Sequence, residues 1–404
     1  MSATANPFRI VHGTVRDEYF TDREAELERF RRVLEEPAAK LVVYGHRRMG
    51  KSSCLEEAVR RVNACGGHAI IADLSTASAM ADVGNRVLEG AARSLGRRWR
   101  DVLGGLLDRF QGSVTLSTDP ASGLLLPSLA VSLRDEAAEA QGNTPAKVLD
   151  TIDALADERG ENIGIVLDEF QEIAEIGGER AEWQLRGTVQ HHQHVSYIFA
   201  GSKPHLVGRM LSSGRAFYQL ADEYQFGPIE PRHLSDWIDE RMAAVGLEPQ
   251  GAGQICVEVA GPRTRDVVAL VRKCVDRLDA GGRADREVIR DAYMELIEEK
   301  DEGVRIWWSS LTQVQQNVLR AVAGSTAGLT SGQTRVRFSL PSTGSASNAA
   351  KALLNAGHLV RTDNGSGYVF DNPFVRGWVV MHALKDVGIA LDPLYVASRV
   401  AGYL

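Results

Sequence analysis

The 404-residue sequence predicts an α/β fold: a parallel sheet flanked by helices, followed by a helical domain and a winged helix-turn-helix. Three observations carry that expectation. The apolar run Leu41-Val42-Val43-Tyr44 ends in Gly45, and Gly50-Lys51-Ser52 then opens a helical stretch. A second apolar run, Ile163-Gly164-Ile165-Val166-Leu167, ends in the adjacent carboxylates Asp168 and Glu169. Beyond Gly227-Pro228 the apolar residues recur at helical spacing, and strand patterns return only near His358. Strands buried on both faces read as continuous apolar runs, and amphipathic helices as a 3.6-residue period.

From Gly45 to Ser52 the spacing is G-x-x-x-x-G-K-S, the pattern of a phosphate-binding loop between a strand and a helix. Glycines let the backbone close around phosphate, and the amides at the helix start point at the anion. The expected cradle is Gly45, His46, Arg47, Arg48, Met49, Gly50, Lys51, Ser52 and Ser53. Lys51 is suited to the β- and γ-phosphates and the Ser52 hydroxyl to Mg²⁺.

Composition narrows the class. Hydrophobic residues make up 44% and charged residues 25%, the balance of an ordinary globular protein. Cys54, Cys65, Cys256 and Cys274 match neither zinc-ligand spacing nor a disulfide scaffold, which points to a reducing cytoplasm. The N-terminal residues lack the apolar centre of a signal peptide, and the best apolar run, Gly123 to Leu133, is broken by Pro127, so no membrane span is expected. The net charge of −7 is uneven: residues 305–404 carry +5 and the remainder −12. A basic C-terminal module on an acidic body suggests an acidic partner such as nucleic acid.

In chain order, residues 1–20 read as an arm and 21–227 as the sheet-bearing core. Thr21 and Glu24 have capping-box spacing ahead of the helical pattern Leu27, Phe30, Val33, Leu34. His68 to Leu74 reads as a second strand, residues 79–110 as helices, Val114 to Leu133 as a hairpin-like insertion, and Thr144-Pro145 as a helix start. The strand ending at Asp168 sets that carboxylate beside the glycine loop, where it suits Mg²⁺; Glu169 suits general-base work on the attacking water. A helix from Trp183 to His194 precedes the strand Val195 to Ala200.

That last strand ends in Gly201-Ser202. Ser202 is placed either to sense a γ-phosphate or to cap the next helix. Arg209 and Arg215 follow, each a candidate for stabilising transition-state charge in its own or a neighbouring subunit. Residues 228–303 carry four helical patterns, with Arg263 and Arg265 at the start of the third, where one is a candidate to reach the nucleotide. Residues 304–384 read as three helices and a wing, the strands His358 to Arg361 and Tyr368 to Phe370 flanking Asn364-Gly365-Ser366-Gly367. Its third helix carries Ser345, Ser347, Asn348 and Lys351; Arg335, Arg337 and Arg361 are candidates for phosphate contacts with double-stranded DNA. Trp378 onward reads as a helix running into an apolar tail, residues 385–404.

Together these motifs resemble the archaeal-type ATPases of the STAND branch of P-loop NTPases, relatives of AAA+ proteins and of origin-recognition initiators. The resemblance rests on Phe20-Thr21-Asp22-Arg23-Glu24, the loop with its twin Arg47-Arg48, Asp168-Glu169-Phe170-Gln171, Gly201-Ser202, and a helical lid followed by a winged helix. It implies a sheet in which one strand separates the loop-bearing strand from the Asp168 strand. It implies Mg·ATP as ligand, no N-K-x-D guanine motif being evident, and an ATPase acting as a switch. Two departures, Ser202 in place of the asparagine common in AAA+ relatives and a shortened Gly261-Pro262-Arg263 segment, point to slow hydrolysis. In such a switch ATP alters oligomeric state or partner binding. A replication or transposition accessory on DNA and a defence or signalling scaffold with a protein-binding winged helix are the alternatives.

Overall fold

Two units make up the chain, one built on Arg23–Gly227 and one on Pro228–Leu404. The computed structural model describes residues 6–8, 20–95, 112–118, 125–131, 144–325, 327–362 and 367–395. Most of the expected N-terminal arm, residues 96–110 of the expected helical stretch 79–110, the turn residues Asn364, Gly365 and Ser366 and the end of the tail lie outside the described residues.

In the first unit, α1 (Glu24–Glu35) leads into β1 (Lys40–Tyr44), α2 (Lys51–Ala64), β2 (Ala69–Asp73) and α3 (Met80–Ser94). An antiparallel pair, β3 (Gly112–Thr118) and β4 (Leu125–Val131), fills the expected insertion. The chain continues through α4 (Thr144–Arg159), β5 (Ile163–Asp168), α5 (Glu172–Val189), β6 (Val195–Gly201), α6 (Pro204–Met210) and β7 (Asp222–Gln225).

The sheet has the order β2-β5-β6-β1-β7, and every pairing in it is parallel. β6 therefore separates β1 from β5, as the resemblance implied. Every residue of β5 and β6 is buried, which is why both read as largely apolar runs, the buried Ser196 of β6 donating to the Leu34 carbonyl at 2.9 Å. Leu27, Phe30 and Leu34 of α1 are buried, and Gly164 of β5 allows close approach: a Cβ there would lie 2.7 Å from Leu34 Cδ2. Phe170, Phe199 and Phe217 pack with ring centroids 4.8 to 5.4 Å apart in the core of this unit.

Three local expectations change. The Thr21–Glu24 capping box does not form: α1 starts at Glu24 behind Arg23, which sits at φ 79° with no side-chain cap. Glu24 instead pairs with Arg61, and Thr21 Oγ1 lies 3.2 Å from His233 Nε2. The helix expected from Trp183 begins at Glu172 and kinks at Gly178, whose φ of 63° breaks the helical period. β7 was not expected; it is a four-residue edge strand of mainly exposed residues and has no apolar run to betray it.

In the second unit, α7 (Pro231–Ala244), α8 (Ala252–Ala260), α9 (Thr264–Asp276) and α10 (Arg286–Glu298) follow the four helical patterns. An unexpected helix, α11 (Asp301–Ser310), comes next. Then come α12 (Gln313–Gly324), α13 (Gly332–Arg337), α14 (Thr343–Asn355) and the antiparallel ribbon β8 (Leu359–Arg361) and β9 (Tyr368–Phe370). Ser331 and Ser342 cap α13 and α14, each accepting an amide N–H of the first turn. α15 (Pro373–Trp378) starts five residues before the expected helix, behind the Asn372 cap, and runs into a π-helical turn, Val379–Ala383. One core spans this unit, from Ile238 and Leu270 through Tyr293 and Val318 to Leu353 and Trp378. Among the described residues no helix is long and apolar enough to cross a membrane.

Candidate active site

The site forms where β1, β6 and β5 end together. Register aligns Tyr44 with Gly201 on the β1–β6 side and Leu167 with Phe199 on the β5–β6 side. The Gly45 amide donates to the Gly201 carbonyl at 3.2 Å and the Phe170 amide to Ala200 at 2.7 Å, continuing the ladder one step into each loop. The glycine loop, Ser202 and the carboxylates thus share one sheet edge, the place where open α/β sheets hold ligands.

The loop has the backbone its glycines permit. Gly50 lies at φ 91° and Arg48 at φ 69°. A Cβ on Gly45 would lie 2.4 Å from the Phe226 carbonyl, so only glycine fits without a shift. Met49 is buried, while His46 and Arg47 are exposed. From behind, the buried Arg23 holds the loop: its Nη2 donates to Met49 O at 3.4 Å and Gly227 O at 2.8 Å, and its guanidinium lies 4.3 Å over the Phe226 ring. Arg23 thus joins the site from the Thr21-Asp22-Arg23-Glu24 stretch that precedes the core.

Lys51 and Ser52 open α2. Lys51 is 5% exposed, and Ser52 Oγ donates to Asp168 Oδ2 at 2.6 Å. Two oxygens from distant parts of the chain therefore converge beside a lysine. Asp168 is buried, and burial pushes its carboxyl above the ordinary range, against the opposing pull of Lys51 and the Ser52 hydrogen bond. A buried carboxylate next to a hydroxyl is an oxygen-donor pair suited to a hard divalent cation, whose charge would relieve that desolvation. Ser52 and Asp168 thus fit Mg²⁺.

Glu169 sits at φ 56°, a left-handed backbone that costs a non-glycine residue about 1–3 kcal/mol and is typical of functional sites. Its carboxylate accepts from Ser202 Oγ at 2.6 Å and from Gln171 Nε2. Burial works to raise its pKa. The Ser202 and Gln171 hydrogen bonds and the charges of Lys51 and Arg47 outweigh it, so the carboxyl lies below its ordinary value. Arg47 Nε donates to Ser202 Oγ at 3.1 Å, and the Ser202 amide donates to Gln171 Oε1 at 3.2 Å. Gln171 is fully buried and joins Glu169 to Ser202, a role that no sequence pattern signals. Ser202 does not cap α6, whose cap position is Lys203.

Lys51, Ser52, Asp168, Glu169, Ser202 and Arg47 are therefore brought together. Arg215 is not among them: its Nη groups pair with Glu182 and Glu179, and Glu182 is itself buried. Arg209 is exposed on α6. Arg263 is buried in the second unit and forms a two-point pair with Asp371, just beyond β9, while Arg265 is exposed. No sequence pattern signalled the Arg263–Asp371 pair.

The model of an ATPase domain family predominantly from Archaea matches residues 20–214. Among curated proteins no match to the chain is found. The Walker-type ATPase of Pyrococcus abyssi is similar in structure, with TM-score 0.58 and 17% identity over 91% of this chain and 98% of that one. The Aeropyrum pernix ORC2 protein, solved in ADPNP-ADP complexes, has TM-score 0.52 and 13% identity over 95% of this chain and 93% of its own. At these identities the likeness is one of fold. Family model and fold agree with the phosphate-loop geometry: residues 20–214 are similar to an ATPase domain family predominantly from Archaea, and the chain shares the fold of the Walker-type ATPase.

Proposed function

We propose that this chain binds Mg·ATP and hydrolyses it slowly, as a nucleotide-dependent switch. The observation that carries the reading is the 2.6 Å contact of Ser52 Oγ with Asp168 Oδ2 beside the buried Lys51. The loop amides and Lys51 hold the phosphates, and Ser52 and Asp168 would hold Mg²⁺, which when bound supplies charge neutralisation at the β- and γ-phosphates. Glu169 takes a proton from the water that attacks the γ-phosphorus, and the bond to the bridging oxygen breaks to release ADP and phosphate. Ser202 and Gln171 hold the Glu169 carboxylate, while Arg47 lies within reach of the same hydroxyl. Catalysis of this kind is positioning and electrostatics.

Lys51→Ala should abolish tight ATP binding, whereas Glu169→Gln should bind ATP and stop turnover. Turnover at the wild-type rate in Glu169→Gln would remove Glu169 from its role. Whether nucleotide controls a homo-oligomer is read by light scattering with ATP and with ADP. Arg215 and Arg209 are tested in the same assay by charge removal.

A second reading adds double-stranded DNA as partner. It is favoured by the exposed polar face of α14, with Ser345, Asn348 and Lys351, and by exposed Arg337 and Arg361 nearby in sequence. Salt-dependent DNA retention that weakens when Arg335, Arg337 and Lys351 are neutralised supports it, and no retention at low salt, with or without ATP, excludes it.

A further inference from the structure

The second unit contains a cavity of about 450 Å³ that the phosphate loop does not account for. Arg305 and Trp308 of α11, Trp378 at the end of α15, His382 of the π-helical turn, and Lys385 and Asp386 beyond it line the space. The volume lies within the range of small-molecule sites.

Three aromatic side chains form one wall, tilted against one another. Trp308 and Trp378 have centroids 5.5 Å apart at 52°, and Trp378 and His382 5.2 Å apart at 38°, with Trp378, 4% exposed, as the floor between them. The wall is fixed before any ligand arrives. Trp378 Nε1 donates to Asp301 Oδ1 at 2.7 Å, and Asp301 also accepts from Arg305 Nε. Arg320 lies 5.3 Å over the Trp308 ring and donates to the Ala383 carbonyl at 3.0 Å, tying α12 to the π-helical turn. A π-helical turn is uncommon and concentrates at functional sites; here it places Met381 and His382 in the cavity lining. Trp308 and His382 remain only half-buried, and Arg305 and Lys385 are exposed. Burial also holds the His382 imidazole below its ordinary range, keeping the ring neutral near pH 7.

Ring surface beside the exposed Lys385 and the Nη groups of Arg305, whose Nε is taken by Asp301, suits a flat ring that carries a negatively charged group. Asp386 adds an acceptor for an amino group on that ring. We propose that this cavity binds a nucleobase bearing a phosphate, its ring against Trp308 and His382 over the buried Trp378 and its phosphate toward Arg305 and Lys385. The source is a free mononucleotide or an unpaired nucleotide of a single strand, since both present the same chemistry.

The test uses the full chain carrying one equivalent of Mg·ADP and follows intrinsic tryptophan fluorescence. Cytidine monophosphate and a short oligodeoxycytidylate are titrated separately. Saturable quenching is expected, with Kd raised at least about fivefold by Lys385→Glu and about tenfold by His382→Ala at an unchanged thermal midpoint. Equal affinity for the two ligands assigns the site to free nucleotide, and much tighter oligonucleotide binding assigns it to a strand. The proposal is overturned if neither ligand quenches, if both variants bind like wild type, or if binding depends on Lys351 in place of Lys385. It is equally overturned if an acidic tyrosine-containing peptide binds in a Lys385-dependent way and the nucleotides do not.

Discussion

Ser202 Oγ donates to Glu169 Oε2 at 2.6 Å, linking the end of β6 to the residue that follows β5. Glu169 already occupies a left-handed backbone, so its side chain points where these donors hold it. Ser202→Ala removes one donor and leaves Gln171 in place. The expected result is a kcat lower by about tenfold with KM for ATP changed less than about threefold, because the lost interaction orients the base and does not bind substrate. A change in KM alone would make Ser202 a ligand-binding residue.

Arg23 acts on the loop without belonging to it. Its side chain is buried, bonded to the Met49 and Gly227 carbonyls and paired with Glu26 at 2.7 Å. Arg23→Ala leaves those partners unsatisfied, at a cost of about 1–3 kcal/mol. A lower thermal midpoint and an ATP Kd raised at least about fivefold are expected. Arg23→Lys should recover little, since one ammonium cannot replace the planar fork.

Gly45→Ala tests the loop's closeness to the segment just after β7. Its Cβ would meet the Phe226 carbonyl at 2.4 Å, and backbone on both sides has to move. Destabilisation of about 1–3 kcal/mol is expected from overpacking, with weaker ATP binding as the loop shifts. Denaturant titration and calorimetry read the two effects separately.

The strands that matter most were legible because they are buried on both faces. β1, β5 and β6 show largely apolar runs, and the carboxylate pair at the end of β5 announced itself. β7 escaped notice because an edge strand of sequence Asp222-Glu223-Tyr224-Gln225 has no apolar face to display. α11 escaped for a similar reason, with Val304 its one buried residue. Gln171 reads as an ordinary polar residue; its importance comes from Ser202, 31 positions away, and only folding brings the two together. The same holds for Arg263 and Asp371, which lie 108 positions apart. The capping box failed because the left-handed backbone at Asp22 and Arg23 is set by what Arg23 reaches.

Glu57 on α2 gives a prediction in pH. Arg60 Nε and Nη2 and Arg61 Nε each donate to its carboxylate at 2.8 Å, and the side chain is 6% exposed. The Arg60 hydrogen bonds, opposed by burial and aided by Arg61, hold its pKa below the ordinary glutamate value. A carboxyl lowered in the folded state stabilises it in full above the unfolded pKa of about 4.3 and loses that contribution as pH falls through the lowered folded value. Glu57→Gln should therefore be less stable than wild type at pH 7, by about 1 kcal/mol. The gap should narrow toward pH 3 in urea titrations.

The direct measurement is a calorimetric titration of ATP into the chain with Mg²⁺ and with EDTA, repeated on Asp168→Asn. Ser52 at the start of α2 and Asp168 at the end of β5 lie 2.6 Å apart, so a divalent ion should tighten ATP binding by at least about tenfold in wild type. That gain should vanish in Asp168→Asn while the EDTA affinities stay alike. A chain that does not bind ATP, or a magnesium effect of equal size in the variant, would contradict the account.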